Sequence, residues 1–278
     1  MKIISGNANN KLAQEIAEHC FANLVPAKIS TFADGETSVE FLENVRGQDV
    51  FIVQPTCTPV NDSLMELMIM IDAASRSSAD RILTMDLHAG QIQGFFDIPV
   101  DDLTSRVVFS KDIKKSIGLV DDPDVNQVGT VFVSPDAGGV VRARKFADMF
   151  LGDIAIVDKR RPEAGKSEVM NLIGDVKGKH AILVDDIVDS GGTLCNAAKA
   201  IMDAGALSVR AYITHGVLSD DACQRVEKSV LAELVVTDSI PNRCPKGCKK
   251  TRQVTVSELF GEAIRRVHNE ESVSSLFI

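Results

Sequence analysis

The 278-residue sequence holds no apolar run approaching the ~20 residues that a membrane-spanning helix needs. Its first residues, Met1-Lys2-Ile3-Ile4-Ser5-Gly6, read as a short strand entering a turn and lack the pattern of a signal peptide. Positive charge is not in excess: 30 Lys and Arg face 39 Asp and Glu, a net charge of −9. That balance argues against a general nucleic-acid binder and against an anionic-membrane binder. Cysteine is sparse, and its six residues are scattered through core-like segments, which suits reduced thiols in a cytosol. Cys244 and Cys248 alone are spaced like metal ligands, but no second pair accompanies them, and structural zinc needs four ligands. Short-period repeats and low-complexity segments are absent. The expectation is a cytoplasmic protein with no nucleic-acid and no membrane partner.

What remains is an ordinary globular composition, 45% apolar and 25% charged, in a chain long enough for a large core and two domains. Short apolar strands are predicted over 3–4, 50–53, 82–87, 131–133, 154–157, 181–184, 209–213 and 234–236. Amphipathic helices alternate with them over 10–21, 62–77, 105–117, 138–150, 193–204, 220–228 and 256–268. Such alternation predicts an α/β fold, a parallel sheet wound with helices. The weakly patterned stretch 118–129, with Asp121-Asp122-Pro123-Asp124, reads as a long loop.

The most informative stretch runs from Ala181 to Thr193. Four apolar residues make a buried strand, and Asp185 and Asp186 follow at its carboxyl end, where open parallel sheets place their ligands. Asp189, Ser190, Gly191, Gly192 and Thr193 then form a tight turn, and an apolar segment follows at helical spacing. Backbone N–H groups of such a turn, at a helix N-terminus, cradle a phosphate. Asp185 and Asp186 repel phosphate; they suit sugar hydroxyls, or Mg²⁺ beside a diphosphate. The turn lacks the Gly-Lys-Ser/Thr of a nucleotide P-loop. The alternative is an ordinary strand–turn–helix joint with acidic surface residues.

Four further positions carry chemistry. Lys159 and Arg161 follow the strand 154–157, and alternation places both on one side of an extended exit, as phosphate-binding cations or as a solvated basic turn. Asp136 ends the strand 131–133 just before Gly138-Gly139 opens a helix, where a carboxylate suits Mg²⁺ or caps the helix. His88 ends the strand 82–87; alone, it reads as a structural histidine.

The 181–193 stretch resembles the phosphoribosyl-pyrophosphate-binding signature of type I phosphoribosyltransferases. Further stretches resemble ribose-phosphate pyrophosphokinases, also called phosphoribosyl-pyrophosphate synthetases. They are Asn44-Val45-Arg46-Gly47, the run from Thr84-Met85-Asp86-Leu87-His88 to Phe95-Phe96, Val133-Ser134-Pro135-Asp136, Asp158-Lys159-Arg160-Arg161-Pro162 and Thr214-His215-Gly216. The resemblance runs from residue 3 to Asn269-Glu270-Glu271-Ser272. It implies two similar phosphoribosyltransferase-like domains, 1–109 and 110–278, each a mostly parallel sheet flanked by helices, with a last helix able to cross back. It implies transfer of the diphosphoryl group of ATP to the 1-hydroxyl of ribose 5-phosphate, giving phosphoribosyl pyrophosphate and AMP, with Mg²⁺. A homo-oligomer, hexameric in the family, is implied too. The implied roles are catalysis on a mobile loop for Lys159 and Arg161, and ribose 5-phosphate binding for Asp185, Asp186 and residues 189–193. His88 and Asp136 are implied Mg²⁺ ligands on the ATP phosphates. Phe32, Asp34 and Glu36, in a Phe-x-Asp-Gly-Glu loop, are implied to contact the adenine of ATP on a neighbouring subunit.

The resemblance is interrupted once. After the helix ending near Ser77 the family continues through a strand, an Arg- and Gln-bearing loop and a helix before the strand that leads to Asp86-Leu87-His88. Here residues 78–83 run straight on, so the first domain is shortened. Such a deletion can leave a foldable sheet, because the remaining strands can close up; the expectation is that the ATP pocket loses one wall and that the ribose-phosphate loop is hardly affected. Two other functions stay open: a type I phosphoribosyltransferase that uses the product, and a non-catalytic regulatory paralogue of the synthetase.

Overall fold

The computed structural model describes residues 1–75, 82–97, 99–116, 129–160 and 169–277. In chain order the elements are β1 (Lys2–Ser5), α1 (Asn10–His19), β2 (Ala27–Thr31), β3 (Thr37–Phe41), β4 (Val50–Val53), α2 (Val60–Ser75), β5 (Ile82–Met85), β6 (Val100–Leu103) and α3 (Arg106–Ser116). Then come β7 (Thr130–Ser134), α4 (Val140–Phe150), β8 (Asp153–Arg160), β9 (Val169–Ile173), β10 (His180–Val188), α5 (Gly192–Asp203), β11 (Ser208–Gly216), α6 (Ala222–Lys228), β12 (Glu233–Thr237), β13 (Thr251–Val254) and α7 (Ser257–His268). The chain divides into two compact units. Unit 1 holds residues 1–107, 238–241 and 255–278, and unit 2 holds 108–237 and 242–254.

Unit 2 is built on one seven-stranded sheet in the order β13-β12-β11-β10-β7-β8-β9. Its strands pair in parallel except β9, which runs antiparallel to β8. Central strands of such a sheet are covered on both faces, so they read as continuous apolar runs. β7 shows this: all five of its residues are buried. Alternation along the strands feeds two cores. Val131, Val133 and Leu183 join Leu194, Ala197, Ile201 and Val226 from α5 and α6 on one face. Phe132, Ile182 and Val184 join Phe109, Ile113, Phe146 and Phe150 from α3 and α4 on the other. Tyr212, the one tyrosine of the chain, lies buried on that second face, edge-on to Phe109 at 5.4 Å between ring centroids.

Unit 1 is assembled differently. β1 pairs in parallel with β4, and β5 in parallel with β6, while β2 and β3 form an antiparallel hairpin. Each is a separate two-stranded sheet. Ile4, Val25, Val45 and Met70 form a small core against Ile29, Phe41, Val50 and Ile52. α1 packs on α7, and the approach is close. A Cβ on Gly261 would sit 2.6 Å from the Cβ of His19, so only glycine fits there.

Three expectations need correction. β10 does not stop at Val184: it continues through both aspartates to Val188, because β11 keeps pairing with it as far as Val188↔Gly216. The strands left in unit 1 do not close up: β1–β4 and β5–β6 share no hydrogen-bonded strand among the described residues. Not all thiols are reduced, since Cys223 of α6 is bonded to Cys244, with 5.6 Å between their Cα atoms. The loop after β12 folds back onto α6, a meeting that 21 residues of separation concealed. The disulfide also removes Cys244 as a partner for Cys248 at a metal.

Candidate functional site

In unit 2 the site grows from the end of β10. On the β7 side its pairing ends at Leu183↔Val133, while on the β11 side it runs five residues further. Asp185 and Asp186 therefore stay in extended backbone with one flank open, and a side chain from α4 enters there. Arg142 donates from Nη1 to Asp185 Oδ1 at 2.9 Å and from Nη2 to Asp186 Oδ2 at 2.8 Å. A planar fork suits two neighbouring carboxylates, which would otherwise repel. Asp185 Oδ1 also accepts from the Asp186 N–H at 2.9 Å. Burial, and then the Asp186 charge beside it, push the Asp185 carboxyl up to about 6. Arg142 was missed by sequence reasoning; the only signal was an arginine one turn into the helix after Asp136.

The turn follows directly. Asp189, Ser190 and Thr193 are exposed and Gly191 is buried. Gly191 takes a left-handed φ of +72° and α5 starts at Gly192. Such a turn directs successive N–H groups outward, adding to the positive end of the helix dipole. The turn has a fixed floor. The Cβ position of Gly191 lies 3.8 Å from Ala222 and Val226 of α6. Arg225 of α6 donates to the Ser190 carbonyl, and the Leu218 N–H donates to the Val188 carbonyl at 3.2 Å.

Asp136 sits exposed between β7 and α4, its Oδ1 accepting the Gly139 N–H at 2.9 Å. The buried Ser134 hydroxyl donates to the Asp136 carbonyl at 2.6 Å, which fixes the turn. α4 itself starts after Gly139 with no side-chain cap, so Asp136 braces the turn before the helix and does not cap it. Among the described residues no three His, Cys, Asp or Glu side chains converge as a complete cation cage. Mg²⁺ needs no such cage, because one or two carboxylates plus substrate phosphates suffice. Asp136 and Asp185 supply hard oxygen donors of that kind. Lys159 lies in β8 by its backbone, in register with Met170. Its side chain, and Arg161 entirely, fall outside the described residues.

Unit 1 carries the remaining candidates. His88 is exposed on the loop after β5. That loop is held by carboxylates the sequence did not single out for the purpose. Asp86, at φ +41°, accepts at Oδ2 from the Ser105 N–H at 3.0 Å and from its hydroxyl at 2.6 Å. Asp102 Oδ1 accepts from the Thr84 hydroxyl at 2.8 Å. Phe32, Asp34 and Glu36 lie at the tip of the β2–β3 hairpin. The Phe32 N–H donates to the Glu36 carbonyl at 2.8 Å and the Glu36 N–H to Asp34 Oδ1 at 3.1 Å. The turn leaves the Phe32 side chain 57% exposed.

Comparison with known proteins agrees with this geometry. The family of the N-terminal domain of ribose phosphate pyrophosphokinase matches residues 1–85, and that of the phosphoribosyl synthetase-associated domain matches 155–278. The ribose-phosphate pyrophosphokinase of Caulobacter vibrioides is 51% identical over 318 aligned positions that take in all of both chains. The chain belongs to the ribose-phosphate pyrophosphokinase family. A member from Hyphomonas neptunium is 49% identical, covering 100% of this chain and 99% of its own. A crystal structure of the phosphoribosylpyrophosphate synthetase from Mycobacterium smegmatis aligns with a TM-score of 0.84 at 32% identity, covering 97% of this chain and 99% of that one. The α/β fold is therefore that of the family. This chain has 278 residues in an alignment of 318 positions, so 40 positions of the Caulobacter relative face no residue here.

Proposed function

We propose that this pyrophosphokinase-family chain transfers the diphosphoryl group of ATP to the 1-hydroxyl of ribose 5-phosphate, releasing phosphoribosyl pyrophosphate and AMP. The observation that carries the reading is the turn at 189–193, floored by α6 and directly continuous with the forked Asp185–Asp186–Arg142 cluster. The turn amides and the Ser190 and Thr193 hydroxyls hold the 5-phosphate. Asp185 and Asp186 accept from the ribose hydroxyls and are kept from swinging away by Arg142. Asp136 in unit 2, and His88 in unit 1, are each the kind of ligand that would hold Mg²⁺ on substrate phosphates, where the ion would supply charge neutralisation. Lys159 and Arg161 stabilise the charge that spreads during transfer. Phe32 stacks on adenine, and Asp34 and Glu36 accept from its amino group. The two domains are taken as 1–109 and 110–278, in a cytoplasmic homo-oligomer.

The double variant Asp189→Ala/Thr193→Ala tests the site. Each lost charge-assisted or buried hydrogen bond costs on the order of 1.5–3 kcal/mol. Calorimetry should show ribose 5-phosphate binding abolished; unchanged affinity would refute the assignment. Lys159→Ala and Arg161→Ala should lower turnover far more than ribose 5-phosphate affinity, because they act on transition-state charge. A variant that raised only the Michaelis constant would remove its residue from the catalytic role. The separated sheets of unit 1 favour one second reading, a paralogue that binds ribose 5-phosphate without turning over ATP. AMP release by the purified chain decides between them.

A further inference from the structure

α6 is short, and what ties it down decides how firmly it floors the 189–193 turn. It spans seven residues, Ala222–Lys228, too few for a helix that is stable without outside ties. Its N-terminus has no side-chain cap. The loop after β12 holds its two ends in different ways. At the C-terminal end, Glu227 Oε2 accepts the N–H groups of Lys249 and Lys250 at 2.9 and 3.0 Å, and the Lys250 ammonium donates to the Ser229 carbonyl at 2.7 Å. At the N-terminal end the tie is covalent, the Cys223–Cys244 disulfide. That is the end beside the turn. Ala222, next to Cys223, lies 3.8 Å from the Cβ position of Gly191, and Arg225, two residues on, donates to the Ser190 carbonyl.

We infer that Cys223 and Cys244 form a reversible thiol–disulfide modification site, a clasp that a dithiol reductant opens, slackening the 189–193 turn and weakening what it binds. The binding half of this rests on the ribose 5-phosphate reading of the turn. Cys223 is 3% exposed and Cys244 only half-buried, so the reductant's thiolate attacks Cys244 Sγ and the Cys223 thiolate leaves. The reductant's second thiol then attacks the mixed disulfide and frees Cys244. Two electrons and two protons pass to the cysteines, and the dithiol ends as a disulfide. The loop around Cys244 is built to part from α6 as a piece. Asn242, Pro245, Lys246 and Gly247 are exposed, and the local bonds stay within the loop: Asn242 Oδ1 accepts the Cys244 N–H at 2.9 Å, and the Cys248 N–H donates to the Pro245 carbonyl at 3.3 Å. Two other thiols are ruled out as the exchanging groups. Burial pushes the Cys195 thiol up and raises Cys20 to about 11, which leaves both protonated at neutral pH. In the cytoplasm proposed for the chain a disulfide is transient, as such a clasp must be.

The test compares the full chain exposed to oxidised glutathione with the same chain in dithiothreitol. Titration in denaturant should count four thiols in the first and six in the second. Calorimetry should show ribose 5-phosphate bound at least about fivefold more weakly after reduction, and restored affinity after reoxidation. Linkage works both ways: saturating ribose 5-phosphate should raise the dithiol-to-disulfide ratio that half-reduces the pair by the same factor. Hydrogen exchange at the Leu218 and Arg225 amides, which donate to the Val188 and Asp221 carbonyls, should quicken at least about tenfold on reduction, with the amides of β7 unchanged. Cys244→Ser, on the loop, should have the weaker affinity from the start and not respond to dithiothreitol. Cys223→Ser repeats the test from the buried side. Cys248→Ser should respond like the parent chain. Six thiols under oxidised glutathione overturn the proposal, as does reduction that leaves affinity and exchange unchanged, or a Cys248→Ser chain that no longer responds. Absence of ribose 5-phosphate binding in both states refutes the assignment of the turn instead; the clasp then stands or falls on the Leu218 and Arg225 amides alone.

Discussion

Arg142 does for this site what no single aspartate can do: it lets two adjacent carboxylates stay together, one of them buried. Asp185 still shows the strain electrostatically, its carboxyl raised from 3.8 to about 6 by burial and by Asp186. Between those values the folded chain holds a proton that the unfolded chain has released, so stability falls as pH rises through the window and stays lowered above it. Asp185→Asn abolishes that ionisation. Its thermal midpoint relative to the parent should therefore be higher at pH 7 than at pH 4.5; an equal difference at both would contradict the burial argument. Gly191 is a second case. Alanine there meets only ordinary contacts at 3.8 Å, yet φ +72° costs an L-residue about 1–2 kcal/mol. Gly191→Ala should lower both stability and ribose 5-phosphate affinity, measured by urea unfolding and calorimetry. The aspartates and the turn were legible in sequence because their chemistry is written in consecutive residues. Arg142 was not, since it reaches them across 43 and 44 positions.

At the scale of elements, strands with apolar runs announced themselves, and strands without them did not. β2 mixes half-buried with exposed residues, β3 is half-buried at all but Glu40, and β13, Thr-Arg-Gln-Val, is an edge strand. β13 is fixed instead by charge. Arg252 donates to both oxygens of Asp112 on α3, at 2.9 and 2.6 Å, and to Glu233 on β12. Burial alone would raise the Asp112 carboxyl, but hydrogen bonds from Arg252 and Tyr212 outweigh it and hold it below its usual value. The stabilisation is present above the ordinary carboxylate value and lost as pH falls through the lowered one. Arg252→Leu strands two carboxylates, and urea unfolding at pH 7 should show a loss of about 2 kcal/mol. The loss should shrink in acid, once Asp112 protonates; a pH-independent loss would point to packing instead.

For the whole molecule, the ribose-phosphate turn is complete and unit 1 is interrupted. The chain should bind ribose 5-phosphate normally and MgATP weakly, by roughly a hundredfold or more for two lost contacts. Inserting the relatives' segment between Arg81 and Ile82 should recover ATP binding and AMP release together. Tight MgATP binding and turnover near ~10 s⁻¹ by the 278-residue chain would overturn this account. The α/β alternation made the architecture readable, whereas the separation of the two sheets was not, because pairing depends on which neighbour is absent. The close crossing of α1 and α7 at Gly261 bears on birth as well as on form. On the ribosome α1 emerges some 240 residues ahead of its partner, a wait of roughly 10–50 s at ordinary translation rates. All of unit 2 has emerged before α7 does. Nascent chains ending at Val254 and stalled through an appended unstructured linker long enough to fill the exit tunnel should thus carry a protease-resistant unit 2 and a digestible 1–107. During that interval the apolar face of α1, Leu12, Ala13, Ile16 and Ala17, is a natural substrate for a holding chaperone.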